Sequence, residues 1–218
     1  MYLSRLMLNP RSRAVRRDVA NPYQMHRTIM RAFPDQLGTG MERVLFRLET
    51  QPRTGALTLL VQSLTSPNWA WLAEPNAGNY LLATTEEPNP GVKFFQPVFA
   101  ADQVLVFRLR ANPTIKRKFD SGDHKRIGIY DEDKQIAWLV RKGEHGGFQI
   151  LSVRTRDCGV VRAVIPREDA RYQAEILGVQ FDGVLKVTDP AKFQETIRQG
   201  IGSGKGLGFG LLSVAKFR

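Results

Sequence analysis

One histidine stands where it could transfer a proton, on a segment whose spacing predicts a helix. Asn21-Pro22 is a good N-cap with proline at the first helical position, and helical periodicity continues from there to Phe33. At 100° per residue, Tyr23, His26 and Arg27 share one rim of this helix near its amino end. An imidazole there could donate or accept a proton near neutral pH. The alternative is a histidine at the edge of the apolar face that only packs its ring.

A glycine-rich segment, residues 200–210, places six glycines around Lys205. Glycine lets backbone N–H groups approach an anion closely, and the lysine adds a point charge. The segment is not a Walker A loop, because Gly206 follows the lysine and a predicted strand comes next. It is not a dinucleotide fingerprint either, because no strand precedes it. Two interpretations stay open: a flexible turn, or a phosphate contact made by Gly204, Lys205 and Gly206.

Basic side chains are in large excess, with 32 Lys and Arg against 21 Asp and Glu and a net charge of +11. Such a surplus favours polyanionic partners. The cations concentrate in three runs, at residues 11–17, 104–126 and 154–171. One charge run is usually a solvated face, but three together indicate binding to a phosphate backbone. No RNP1-type aromatic sequence lies on the predicted strands, which favours structured RNA or duplex shape over stacked single strands.

Other residue types limit the classes of site that the chain can hold. Cys158 is the only cysteine, which excludes an internal disulfide and a cysteine-cluster zinc site. The three histidines are scattered, so we expect no metal and no cofactor. No apolar run reaches the ~18 residues of a membrane span. The amino terminus lacks a signal-type apolar core, so we expect a cytoplasmic protein.

The 218 residues would fit two small domains at the usual size of roughly 100 residues each. In the first half, alternation predicts strands and periodicity predicts a helix at 23–33. The strands are expected at 2–8, 44–48, 56–64 and 104–110, with a short helix near 68–73 and short strands near Tyr80 and Phe94. The second helix of this half carries the weakest signal.

The second half has a similar order of elements. Helices are predicted at 131–142 and 190–198, and strands at 148–153, 160–165, 174–180, 184–187 and 211–216. The Asp182-Gly183 pair predicts a hairpin turn between two of these strands. Each half approximates β-α-β-β-(α)-β, the pattern of a ferredoxin-like or RRM-like sheet backed by helices. The predicted fold is therefore α+β, with two such antiparallel modules in tandem and their boundary within 113–130.

Six separate strings resemble the CasE family of CRISPR RNA-processing endoribonucleases of the type I-E Cascade systems. They occur in the family's order and with similar spacing over residues 1 to about 215. The strings are Met1-Tyr-Leu-Ser-Arg5, Tyr23-Gln-Met-His26, Phe107-Arg-Leu-Arg-Ala-Asn-Pro113, Ile136-Ala-Trp-Leu139, Phe181-Asp-Gly183 and the glycine-rich stretch 200–213. The regions 66–103 and 143–175 match the family poorly.

The resemblance implies tandem ferredoxin-like domains, at 1–115 with the catalytic helix and at 128–218 with the glycine-rich loop. It implies metal-independent cleavage of CRISPR repeat RNA on the 3′ side of a stem-loop, with the enzyme remaining in Cascade with the other subunits. His26 takes the place of the family's catalytic histidine, as general acid or general base, and Tyr23 is its neighbour. The RNA-binding residues expected from it are Arg27, Gly204, Lys205, Gly206 and a basic hairpin with Arg162, Arg167 and Arg171.

Two other classes of protein remain open on the sequence. One is a non-catalytic RNA-binding subunit of a larger particle, in which the basic runs alone carry the function. The other is a sequence-independent DNA-binding protein, which charge favours and the lack of a recognition-helix motif disfavours.

Overall fold

The structure, a computed structural model, describes residues 1–34, 43–74, 77–85, 87–118, 122, 124–166 and 171–217. Contacts divide the chain into two units. The first comprises residues 1–96, 162–174 and 206–208, and the second comprises 97–161, 175–205 and 209–218. Arg167 lies outside the described residues, so its predicted role is not tested there.

The first unit is built on a four-stranded sheet in the order β2-β3-β1-β4. Its elements are β1 (Tyr2–Leu8), α1 (Arg13–Ala20), α2 (Pro22–Met30), β2 (Leu45–Thr50), β3 (Leu57–Ser63) and β4 (Gly91–Phe94). β1 pairs antiparallel with β3 and β4, and β2 pairs antiparallel with β3. With helices between the first two strands, this order is the ferredoxin-like arrangement. A 3₁₀ turn at Ala70–Ala73 stands where the second helix was expected.

The basic run of residues 11–17 was not predicted to be helical, but most of it forms α1. Val15 and Asp18 are the buried residues of this short helix, whereas its arginines face outward. The Tyr80 hydroxyl donates to Asp18 Oδ2 at 2.9 Å, and Arg17 pairs with Oδ1 at 2.8 Å. Burial, with the Asp18 charge, raises the pKa of Tyr80 far above its usual range, so this hydroxyl remains a donor. The pair anchors α1 immediately before α2.

The second unit is built on a sheet in the order β10-β5-β9-β8. Its elements are β5 (Val104–Ala111), β6 (Thr114–Lys118), β7 (His124–Gly128), α3 (Glu132–Gly146), β8 (Phe148–Pro166), β9 (Arg171–Val187), α4 (Pro190–Gln199) and β10 (Leu212–Lys216). β5 pairs antiparallel with β9 and β10, and β6 pairs with β7 in a separate two-stranded sheet. Without the β6–β7 pair, this is again the ferredoxin-like order, which confirms the predicted fold class.

The strand at 104–110 was assigned to the wrong module. It forms β5, which pairs with β9 and β10 and so starts the second sheet. The contact-defined units accordingly differ from the expected bounds of 1–115 and 128–218. Leu105, Phe107 and Leu109 alternate as a strand requires and are buried. Alternation identifies a strand but not its partners, because pairing joins residues that are distant in sequence.

The predicted hairpin at Asp182-Gly183 is also wrong. Both residues lie inside the continuous strand β9, where Asp182 opposes Arg108 and Gly183 opposes Phe107. A Cβ atom on Gly183 would lie 2.1 Å from the carbonyl oxygen of Ser152 on β8. The glycine is therefore explained by close approach of a neighbouring backbone and not by a turn. The two shorter strands predicted at 148–153 and 160–165 are likewise one strand, β8.

Replacing Gly183 with alanine should destabilise the chain by about 3 kcal/mol or more, because the new methyl group meets backbone that cannot turn aside. Gly159→Ala is the matched control on β8. Its φ of +72° disfavours alanine, but a Cβ there meets nothing within 4 Å, so we expect a loss of about 1 kcal/mol. Urea unfolding measures both. Equal losses for the two variants would contradict the close-approach explanation.

Candidate active site

Helix α2 carries the three side chains that the sequence places on one rim. Asn21 caps it, accepting a hydrogen bond from the backbone N–H of Tyr23 at 3.2 Å, and Pro22 occupies the first turn. Met25 and Ile29, four residues apart, are buried in the core of the first unit and hold the helix in place. Outside that apolar stripe, Tyr23 and His26 are half-buried and Arg27 is exposed, as the helical spacing predicts.

The His26 imidazole stacks on Phe46 of β2, with ring centroids 6.3 Å apart and planes inclined by 16°. Its Nδ1 is buried and has no hydrogen-bond partner among the described residues. The other ring nitrogen, Nε2, lies on the side of the ring that Gly206 borders. Burial lowers the pKa of this imidazole below its ordinary value of 6.5. At neutral pH the ring is uncharged, and Nε2 is the nitrogen available for proton transfer.

Part of the glycine-rich segment lies against this ring. A Cβ atom on Gly206 would lie 3.8 Å from both Nε2 and Cε1 of His26. A Cβ on Gly208, whose φ is +87°, would lie 3.2 Å from Cε2 of Phe46. A side chain at Gly206 would lie against the ring edge that carries Nε2, whereas one at Gly208 would press on Phe46. Gly206 therefore leaves backbone, and no side chain, beside Nε2.

The other two predicted residues of the segment belong to the second unit. Lys205 opens the 3₁₀ turn Lys205–Leu207, and its Cγ would lie 3.2 Å from a Cβ on Gly210. Gly204 has a φ of +77°, and a Cβ there would lie 3.2 Å from Phe209. Positive φ angles occur at five of the six glycines of the segment, with Gly206 as the exception. Of the three residues predicted to contact phosphate, the structure places Gly206 beside His26.

The Asn21 side chain also joins α2 to the predicted basic hairpin. Its Nδ2 donates to the carbonyl of Val164 at 3.1 Å, and its Oδ1 accepts from the Val164 N–H at 3.3 Å. Arg162, two residues earlier on β8, is on the same strand face as Val164. Arg171 begins β9. Sequence analysis recognised Asn21 as a cap but missed this strand contact, because a cap signal carries no information about distant backbone.

Phe46 was predicted only as a strand residue, and its contact with His26 was also missed. Within the described ranges, no three His, Cys, Asp or Glu side chains are grouped as a metal site would require. None of the helices there is long and apolar enough to cross a membrane.

Comparison with known proteins identifies related chains over the full length. The profile of a family described as CRISPR associated protein matches residues 1–216. The chain is 41% identical to the CRISPR-associated endoribonuclease Cse3 of Thermus thermophilus, over 99% of this chain and 100% of that one. It is 30% identical to the Cascade subunit CasE of Escherichia coli, over 99% of each.

Among solved structures, the fold matches Thermus thermophilus Cse3 bound to an RNA that represents a pre-cleavage complex. The TM-score is 0.80 at 38% identity, and 98% of each chain is covered. The resemblance derived from the six sequence strings is therefore confirmed.

Burial should make His26 titrate below 6.5 in the folded chain. Unfolded chains take up the proton first as the pH falls, so stability is full above about pH 6.5 and is lost below it. NMR titration of the imidazole Cε1–H signals, with His26→Gln to assign the resonance, measures the midpoint. His26→Gln should also remove part of the stability loss between about pH 7 and 5. A midpoint at or above 6.5 would contradict the burial argument.

Asn21→Ala should lower the free energy of unfolding by about 1–2 kcal/mol, because it removes the cap and both bonds to Val164. Asn21→Asp loses the N–H donor to Val164 but keeps the accepting oxygen and adds a negative charge that a helix amino end favours, so its loss should be smaller. Urea denaturation of the three proteins near neutral pH compares them. If alanine unfolds at the wild-type urea concentration, the Asn21 contacts contribute nothing to stability.

Proposed function

Because the chain belongs to the CRISPR-associated protein family, we propose that it cleaves CRISPR repeat RNA on the 3′ side of a stem-loop, without a metal ion. The chain is a CRISPR-associated endoribonuclease, and the relatives named for this activity and for Cascade cover its whole length. The mature RNA remains bound, and the complex joins the other Cascade subunits. The observation that carries the mechanism is the neutral His26 ring, whose Nε2 lies beside the glycine backbone at Gly206.

RNA brings its own nucleophile to such a site. The 2′-oxygen attacks the adjacent phosphorus, the bond from phosphorus to the 5′-oxygen breaks, and the products are a 2′,3′-cyclic phosphate and a 5′-OH. One proton leaves the 2′-OH and one must reach the departing 5′-oxygen. The protein therefore has to align the backbone, move protons and stabilise charge on the phosphorane.

His26 is suited to take the proton from the 2′-OH. The sequence left acid and base roles equally open, but a lowered pKa keeps the imidazole neutral and ready to accept. Nε2 is the accepting atom, because Nδ1 is buried. Stacking on Phe46 fixes the plane of the ring, so the direction of its lone pair is set before RNA binds. Such preorganisation lowers the cost of reaching the transition state.

Tyr23 and Arg27 complete the catalytic rim. Tyr23 lies one turn before His26, where its hydroxyl can orient the scissile phosphate or exchange a proton. Arg27 is exposed beside it and offsets negative charge on the phosphorane. Both act on the face of α2 that bears His26, so one rigid helix positions all three groups.

The remaining predicted residues bind the RNA and take no part in proton transfer. Arg162, with Arg167 and Arg171, is assigned to the RNA stem, and Gly204, Lys205 and Gly206 to the phosphates near the cut. Arg162 precedes Val164, which Asn21 ties to the start of α2. When the hairpin binds the RNA stem, the hydrogen bonds between Asn21 and the Val164 backbone would therefore fix the position of α2 relative to the bound stem.

His26→Ala should slow cleavage about 10²–10⁴-fold, the usual contribution of a positioned general acid or base. Affinity for repeat RNA should barely change, because a neutral imidazole adds no charge. Single-turnover cleavage in EDTA and filter binding separate the two quantities. Gln24→Ala is the control on the same helix, and Tyr23→Phe tests the hydroxyl while keeping the ring. A chain that only binds RNA would show no cleavage in any variant, wild type included.

A single 2′-deoxy substitution just upstream of the cut should stop cleavage and leave binding intact, because it removes only the nucleophile. The same substitution one nucleotide further upstream is the control and should still be cut. End-group analysis should find a 2′,3′-cyclic phosphate and a 5′-OH on the products. Continued cleavage of the first substrate would refute attack by the 2′-oxygen.

A further inference from the structure

The second unit contains an open pocket of about 450 Å³ that the catalytic mechanism does not use. The β6–β7 pair, the second half of α3 and the start of the glycine-rich segment enclose it. Its charged side chains are Lys116, Arg126, Lys142 and Lys205, and His145 also lines it. All of them belong to one contact-defined unit.

The lining is strongly cationic. Of the described residues around the pocket, four are Lys or Arg and none is Asp or Glu. Lys116 and Arg126 oppose each other directly in the β6–β7 register, which holds two like charges on one face. Like charges this close are unfavourable unless an anion lies between them. The pocket therefore has the electrostatics of a polyanion site.

Hydroxyl groups at the wall suit phosphate oxygens. The Ser203 Oγ accepts a hydrogen bond from Asn112 Nδ2 at 3.2 Å, which leaves its own O–H to donate into the pocket. Thr114 contributes a second hydroxyl. His145 Nδ1 bonds to the carbonyl of Arg141 at 2.7 Å, which holds the ring at the pocket edge.

The pocket is not built to stack a base. Trp138 is the aromatic residue in its described lining apart from His145, but it is 5% exposed. A Cβ atom on Gly202 would lie 3.2 Å from its Cη2, and the ring of Phe181 stacks at 6.2 Å. The indole therefore offers no open face to a nucleobase, so recognition falls to phosphate groups and is independent of base sequence.

We propose that this pocket is a second phosphate-binding site, which holds consecutive backbone phosphates of the RNA beyond the one at the scissile bond. The inference rests on the proposed function for the identity of the polyanion. Four cations carry more charge than one phosphodiester, which favours successive phosphates of one strand over a single orthophosphate. Lys205 links this site to the glycine-rich segment, because it lines the pocket directly before Gly206.

The β6–β7 pair supplies a matched comparison. The double variant Lys116→Ala/Arg126→Ala removes two charges from the pocket face. The control Arg117→Ala/Lys125→Ala removes two charges from the next register pair, whose side chains alternate to the opposite face and do not line the pocket. Both variants change net charge equally, so a general field effect would act on both alike.

Binding of 2′-deoxy-blocked repeat RNA is measured over a range of about 50 to 300 mM salt. The slope of log affinity against log salt should become shallower by about 1.4 for the pocket variant, because each lost contact with a single-strand phosphate accounts for about 0.7. The control should lose less than half of that. Equal losses in the two variants, or no loss in the pocket variant, would overturn the proposal.

Inorganic pyrophosphate, followed by NMR at the Gly202 and Ser203 amides, tests the anion chemistry without RNA. We expect shifts in the wild type that the pocket variant loses. If the wild type binds pyrophosphate but the pocket variant keeps the wild-type salt dependence of RNA affinity, RNA is not the source of the phosphates. A wild type that binds pyrophosphate and blocked RNA through the pocket but never cuts repeat RNA would retract the proposed function and leave the second site standing.

Discussion

The stacking of His26 on Phe46 sets the geometry on which the candidate site depends. Because the ring is held against β2, burial leaves one nitrogen, Nε2, for chemistry and keeps the imidazole uncharged. The glycine at 206 keeps the position next to Nε2 free of a side chain, since a Cβ atom there would lie 3.8 Å from that nitrogen. The candidate catalytic nitrogen and the glycine backbone next to it thus follow from one packing arrangement.

Asn21 connects this ring to the rest of the first unit. One amide serves as the cap of α2 and as the backbone partner of Val164 on β8. A helix terminus has orphan N–H groups and a strand edge has unpaired backbone, so a single carboxamide with a donor and an acceptor satisfies both. The start of α2 and the backbone of β8 at Val164 are therefore coupled by hydrogen bonds of ordinary length.

The net charge of +11 is distributed in a way that separates chemistry from binding. His26 is neutral and half-buried, whereas Arg27 and Arg162 are exposed at the surface, where desolvation costs little. In the pocket of the second unit, four Lys or Arg side chains lie together, and none of the described lining residues is a carboxylate. Under the proposed function, affinity then depends strongly on salt while proton transfer at Nε2 depends on pH.

The sequence by itself determined the fold class, the elements around the candidate site and the helix that carries Tyr23, His26 and Arg27. These follow from local information: alternation in β1 and β3, the Asn21-Pro22 cap, and the periodicity that puts Tyr23, His26 and Arg27 on one rim. Matching strings to a known family added the role of His26. None of this required knowledge of which distant segments meet.

Only the tertiary structure decided what depends on non-local contact. β5 belongs to the second sheet, because it pairs with β9 and β10. These partners lie far from it in sequence, and alternation does not specify partners. Gly183 proved to be a point of close approach, since the crowding comes from Ser152 on another strand. The lowered pKa of His26 was likewise beyond the sequence, because desolvation depends on Phe46 and on the surrounding packing, which hydrophobic burial assembles only in the folded chain.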